Sequence, residues 1–145
     1  MNKNNVADGL KAVLANSYAL YLKTQNYHWN VKSPNFKSLH ELFETQYDDL
    51  AEAIDEIAER IRALDVSVPA SFDIFKKNSK IQDGNEENNA QTMVKELYQD
   101  NQMIVEIITS TLKLAQESGD EATADLMIKR TEVHQKNAWM LKSSM

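Results

Sequence analysis

Apolar residues recur along most of the chain with the three-and-four spacing of amphipathic helices. The first stretch runs from about Asn5 to Val31. With Leu10 as origin and about 100° per residue, Leu14, Tyr21 and His28 fall within about 40° of it. Val6 and Val13 flank the same stripe. A turn at Lys32-Ser33-Pro34-Asn35 follows, with Ser33 as a candidate cap and Pro34 suited to the first helical position. The second helix then extends to about Leu64 on the seam Phe43, Tyr47, Leu50, Ile54, Ile57, Ile61 and Leu64. Residues 65–89 form a connection too long for a plain turn. It predicts a short helix near Asp73–Lys80, anchored by Ile74 and Phe75. It also leaves room to cross a bundle, so that the third helix runs parallel to the second. The third helix covers about Asn89–Glu117, with Val94, Leu97, Ile104, Ile108 and Ala115 inward; Gly119 ends it. Asp120 caps a fourth helix reaching about Leu141. The pattern predicts an all-α four-helix bundle with a short helix in its long connection, one domain over residues 1–145.

Composition supports this. The 145 residues include only three glycines and two prolines, too few turn formers for an all-β fold. There is no cysteine, which excludes disulfides, thiolate zinc sites and thiol catalysis. Any metal must be held by His, Asp or Glu. The formal charge of −6 argues against a basic nucleic-acid-binding domain. No apolar run approaches membrane-spanning length, and the start, MNKNNVADGL, lacks the apolar core of a signal peptide. The expected location is the cytoplasm.

A second face of the second helix carries the chemistry. With His40 as origin, Glu44, Asp55 and Glu59 lie at about 40°, 60° and 100°, in a stripe roughly 110° from the apolar seam. Ala51 and Ala58 share that stripe and permit close approach of another helix. His40 with Glu44, and Asp55 with Glu59, have the i,i+4 spacing that lets both members face one ion. One chain cannot unite the two pairs, since fifteen residues of helix separate them by about 22 Å, whereas metal–ligand bonds are about 2.0–2.2 Å. Two antiparallel copies about a two-fold axis would join them into two equivalent shared sites. Taken singly, the acids also read as solvated helix charges, and a lone inward His as packing. His28 and His40, however, stand at the facing ends of two helices joined by a short turn. His134 has the phase to face inward on the fourth helix and reads as structural. No Glu-x-x-His, HExxH, GxGxxG, P-loop or GxSxG is present. A di-iron site in the bundle centre, a zinc protease and the corresponding nucleotide or hydrolase sites are not supported.

The runs Asn26-Tyr27-His28-Trp29-Asn30-Val31, Pro34-Asn35-Phe36, Leu39-His40-Glu41-Leu42-Phe43 and Asp55-Glu56-Ile57-Ala58-Glu59-Arg60 resemble the Dps family of mini-ferritins. Thr123-Ala124-Asp125 and Ala138-Trp139-Met140-Leu141 fit as well, so the resemblance spans nearly the whole chain. It implies a hollow homododecamer with ferroxidase centres at its two-fold interfaces. Fe(II) would be oxidised there, preferably by hydrogen peroxide, and stored as ferric mineral. It also implies that His28, His40 and Glu44 supply iron ligands from one subunit, and Asp55 and Glu59 from its partner. Two irons per site are possible, and zinc can substitute. Position 44 is often Asp in the family, so Glu44 bears on occupancy of a second iron. Trp29 matches a tryptophan beside the centre and is the candidate electron donor; an interface aromatic is the other reading. Asp120, Glu121 and Asp125 resemble an acidic pore lining, and Asp48, Asp49, Glu52 and Glu56 a nucleation surface, although capping and ordinary surface charge also account for them. Many Dps proteins bind DNA through a lysine-rich tail. Only Lys3 and Lys142 flank the helices here, so DNA binding is not expected. Two other roles remain open: a DNA-protecting stress protein with secondary ferroxidase activity, and a shell that serves as an antigen or structural assembly.

Overall fold

The structure, a computed structural model, describes residues 3–145, with side chains from residue 5 onward. The Lys3 side chain therefore lies outside the described residues. Five helices follow one another: α1 (Lys3–Asn30), α2 (Phe36–Ala63), α3 (Phe72–Lys77), α4 (Ala90–Glu117) and α5 (Glu121–Lys142). Among the described residues there is no strand. No helix is long and apolar enough to cross a membrane.

Cross-helix contacts fix the directions. His28 meets His40 and Tyr21 meets Tyr47, so α1 and α2 are antiparallel. Lys23 pairs with Asp100 while Gly9 lies against Thr111, so α1 and α4 are antiparallel too. The long connection thus makes α4 parallel to α2, as its length predicts. α5 runs back along both neighbours: His134 bonds to Asn101, Arg130 to Asp49, and Arg60 to Asp120.

The helix ends follow local chemistry. Ser71, Asn89 and Asp120 each accept a bond from the backbone N–H three residues on, capping α3, α4 and α5. Gly119 takes φ +72°, a left-handed conformation that glycine adopts without steric cost. The start of α2 departs from expectation. Its first helical residue is Phe36, Asn35 precedes it without a side-chain cap bond, and Pro34 stays in the turn. Ser33 Oγ accepts from Asn35 N at 2.8 Å, so it stabilises the turn rather than the helix.

α1 is more enclosed than its stripe suggests. It packs against α2, α3 and α4. Beyond Leu10 and Leu14 it buries Asn16, Ser17, Lys23, Thr24 and Tyr27. Two of them, Asn16 and Tyr27, anchor the crossover. Asn16 Oδ1 accepts from Lys80 N at 2.9 Å. Tyr27 OH accepts from Asn85 N and Asn88 Nδ2, both at 3.2 Å, and donates to Glu96. The residue beside His28 is thereby locked.

Candidate metal centre

The turn after α1 is closed by Val31 N–H donating to Tyr27 O and Phe36 N–H to Ser33 O, both at 3.0 Å. This reversal lays the imidazoles of His28 and His40 face to face. Their centroids are 3.7 Å apart and their planes 12° from parallel. Nδ1 of His28 lies 2.7 Å from the carbonyl of His40, and Nδ1 of His40 lies 2.7 Å from the carbonyl of His28. A carbonyl only accepts, so each Nδ1 carries the proton and donates. The His28 carbonyl belongs to the last turn of α1, where helix carbonyls lack helical partners, and His40 satisfies it.

In its neutral form each ring then has its lone pair on Nε2, the form in which imidazole binds a metal. Glu44, one turn beyond His40, places Oε1 4.0 Å from His28 Nε2. One ligand atom each from His28, His40 and Glu44 lie within 4.8 Å of one another. This is the one such cluster of three or more His and acidic residues among the described residues. His28 is buried, His40 half-buried and Glu44 exposed, so the group opens outward from a fixed wall. Phe36 stacks on His40 at 4.9 Å and Tyr47 meets His28 edge-on at 5.2 Å. Sequence reasoning placed Tyr47 only in the apolar seam. Its position three residues beyond Glu44 was the available sign that it borders the site.

Asp55 and Glu59 are exposed farther along α2 and do not join the cluster within one chain. Beside them runs an apolar groove of about 280 Å³, lined by Leu14, Tyr18, Ile54, Ala58, Phe72 and Phe75. Phe72 is 80% exposed. A second hollow, of about 420 Å³, continues past Ala58 and Val68 to Glu59 and Arg62. Trp29 is 61% exposed. Among the described residues its ring has no aromatic partner.

The other acids divide by partner. Asp49 holds the buried Arg130 at 2.8 Å, and Glu56 pairs with Lys129 at 3.6 Å. Asp48 and Glu52 are exposed. Asp120 caps α5 and pairs with Arg60 at 3.2 Å. Glu121 and Asp125 line a hollow of about 370 Å³ near Gly119. His134 is fully buried, with Nδ1 2.8 Å from Asn101 Oδ1 and Nε2 3.1 Å from Arg130. Its structural reading fits this placement.

The ferritin-like domain family matches residues 7–145. The "DNA protection during starvation protein 2" of Bacillus anthracis is 37% identical over 99% of this chain and 97% of its own length. The crystal structure of a Dps protein from Bacillus brevis superposes with a TM-score of 0.94 at 33% identity, covering 97% of this chain and 95% of that one. A Vibrio cholerae Dps structure, described as belonging to a broad superfamily of ferritin-like diiron-carboxylate proteins, gives 0.93 at 33% identity over 97% and 89% of the two chains.

Proposed function

Because the chain belongs to the Dps family of ferritin-like proteins, with iron storage and stress protection as the broad role this supports, we propose that it is a ferroxidase. It oxidises Fe(II), preferably with hydrogen peroxide, and stores ferric mineral inside a cytoplasmic homododecamer. The observation that carries this reading is the reciprocal histidine pair, which presents two Nε2 atoms beside the Glu44 carboxylate. Asp55 and Glu59 of a second copy complete the site about a two-fold axis. The apolar groove beside them offers the surface on which that copy would seat, and the exposed Trp29 and Phe36 flank the histidines.

Three carboxylates and two neutral imidazoles give a donor set of charge −3. Hard oxygen donors bind Fe(III) more strongly than Fe(II), so the set favours the oxidised product. Two Fe(II) ions and one peroxide, with two protons, yield two Fe(III) and two waters. That route releases no hydroxyl radical. The same donors suit zinc, which by affinity alone would outcompete Fe(II). Phe36 stacked on His40 and Tyr47 set edge-on against His28 support the two rings from either side.

The test mixes two inactive variants. His28→Ala with His40→Ala removes one half of each site, and Asp55→Ala with Glu59→Ala the other. Each variant alone should lose Fe(II) oxidation by peroxide, followed by ferric absorbance. Refolded together, random pairing regenerates about a quarter of the sites, because each mixed dimer holds one intact and one doubly defective centre. No recovery in mixed shells of normal size would refute the shared site; undiminished oxidation in the histidine variant would refute the assignment altogether.

A further inference from the structure

The metal centre is one end of a continuous row of aromatic rings. Tyr47 meets His28 at 5.2 Å, Tyr21 meets Tyr47 at 6.0 Å, and Tyr18 meets Tyr21 at 5.9 Å, all edge to face. Beyond Tyr18 lies Phe75, at 4.9 Å. On α1 the residues Tyr18, Tyr21, Gln25 and His28 follow a three-four-three spacing, which keeps them on one helix face. All three phenols are half-buried between α1 and its neighbours. Gln25 Nε2 donates to Tyr21 OH at 3.2 Å, leaving the Tyr21 hydroxyl hydrogen free of that bond. Packing alone would be served as well by phenylalanine, whose ring fills nearly the same volume.

We propose that Tyr47, Tyr21 and Tyr18 form a redox relay that supplies the second electron for peroxide reduction when only one Fe(II) is bound. The proposal rests on the ferroxidase reading above. Peroxide takes two electrons, and a single Fe(II) gives one. With one ion alone, the products would be Fe(III), hydroxide and a hydroxyl radical. Tyr47 instead gives up its phenolic hydrogen, electron and proton together. The balance becomes Fe(II), peroxide and a phenol on one side, and Fe(III), hydroxide, water and a phenoxyl radical on the other. An electron then passes across the ring contacts from Tyr21 to Tyr47, and from Tyr18 to Tyr21, each donor phenol losing a proton and each acceptor regaining one, which moves the radical away from the metal without net change. A later Fe(II), with one proton, restores the phenol and becomes Fe(III). The relay thus completes the two-iron stoichiometry in two visits. Trp29 is exposed and, among the described residues, its ring pairs with none in this row.

The experiment uses the assembled protein loaded anaerobically with one Fe(II) per site, mixed with peroxide and freeze-quenched for electron paramagnetic resonance. The expected spectrum is a phenoxyl radical whose hyperfine structure narrows when the protein carries ring-deuterated tyrosine. Tyr47→Phe should cut that signal at least tenfold and raise hydroxyl radical captured by a spin trap. Tyr98→Phe, a tyrosine outside the row that accepts from Gln102, should leave it unchanged. A signal retained in Tyr47→Phe, or a tryptophanyl radical alone in the wild type, would overturn the relay. Ferric absorbance in the same samples separates the two readings. Iron oxidation without a phenoxyl signal refutes the relay only, whereas no iron oxidation at all refutes both.

Discussion

The His28–His40 pair illustrates what a residue can and cannot reveal in sequence. Helical phase put both rings near one turn, but only the folded reversal gives each Nδ1 a carbonyl of the other residue. That exchange sets the tautomer, and the tautomer leaves Nε2 as the nitrogen available to a metal. His134 shows the opposite outcome for the same residue type. Burial, and then the nearby Arg130 charge, push its pKa down from 6.5 to about 3. Between these values the unfolded chain takes up a proton that the folded chain refuses. Stability is therefore full above about pH 6.5 and declines as pH falls towards 3. Going from pH 7 to pH 5 should cost about 2 kcal/mol per chain from this group. His134→Gln, which keeps a donor and an acceptor, should remove that share of the pH dependence in urea unfolding; an unchanged slope would contradict it. Arg130 was not legible at all. A fully buried arginine is rare, and only the positions of Asp49 and His134 make it tolerable.

At the scale of elements, the period of the apolar residues located α1, α2 and α4, because that period follows from helix geometry, whereas α5 was placed from its cap and α3, observed at Phe72–Lys77 rather than Asp73–Lys80, from its apolar anchors. Capping chemistry located several ends. Asp120 is the sharpest case, as expected from its place after Gly119. Burial opposes its charge, but bonds from Thr123 and the Arg60 guanidinium outweigh this and hold its pKa below the ordinary carboxylate value. Its stabilising effect is therefore present above about pH 4 and lost as pH falls below that. Asp120→Ala should cost about 1–2 kcal/mol at pH 7, and Asp120→Asn, which keeps the cap acceptor, less. Thermal unfolding of the three proteins checks the order. The same bonds occupy a carboxylate that otherwise reads as pore lining. The start of α2 was misplaced because Ser33-Pro34 suits a helix start and a turn equally. The bond from Asn35 N decides for the turn. The inner side of α1 was only half legible, since a helix surrounded by three others buries polar residues that no single stripe marks.

At the scale of the whole molecule, the formal charge of −6 becomes roughly −70 in a twelve-chain shell. Such a shell repels phosphate chains at low salt and attracts cations. Metal-free protein should migrate near 200 kDa in native mass analysis, about twelve times the 16.6 kDa chain. It should not retard duplex DNA in a gel at neutral pH and low salt; robust retardation would favour the DNA-protecting role that the B. anthracis relative's name carries.

The sequence by itself determined the helices and their order, limited any metal ligands to His, Asp and Glu, and showed that one chain cannot unite His40 and Glu44 with Asp55 and Glu59. All of these follow from helix periodicity, chain length and the absence of cysteine, which are local or additive properties. Tertiary structure decided which nitrogen of each histidine is free and which acids are already occupied. It also decided that three tyrosines stand in a row with the site. Those depend on how residues distant along the chain are oriented when they meet across a helix interface, and no periodicity encodes that orientation.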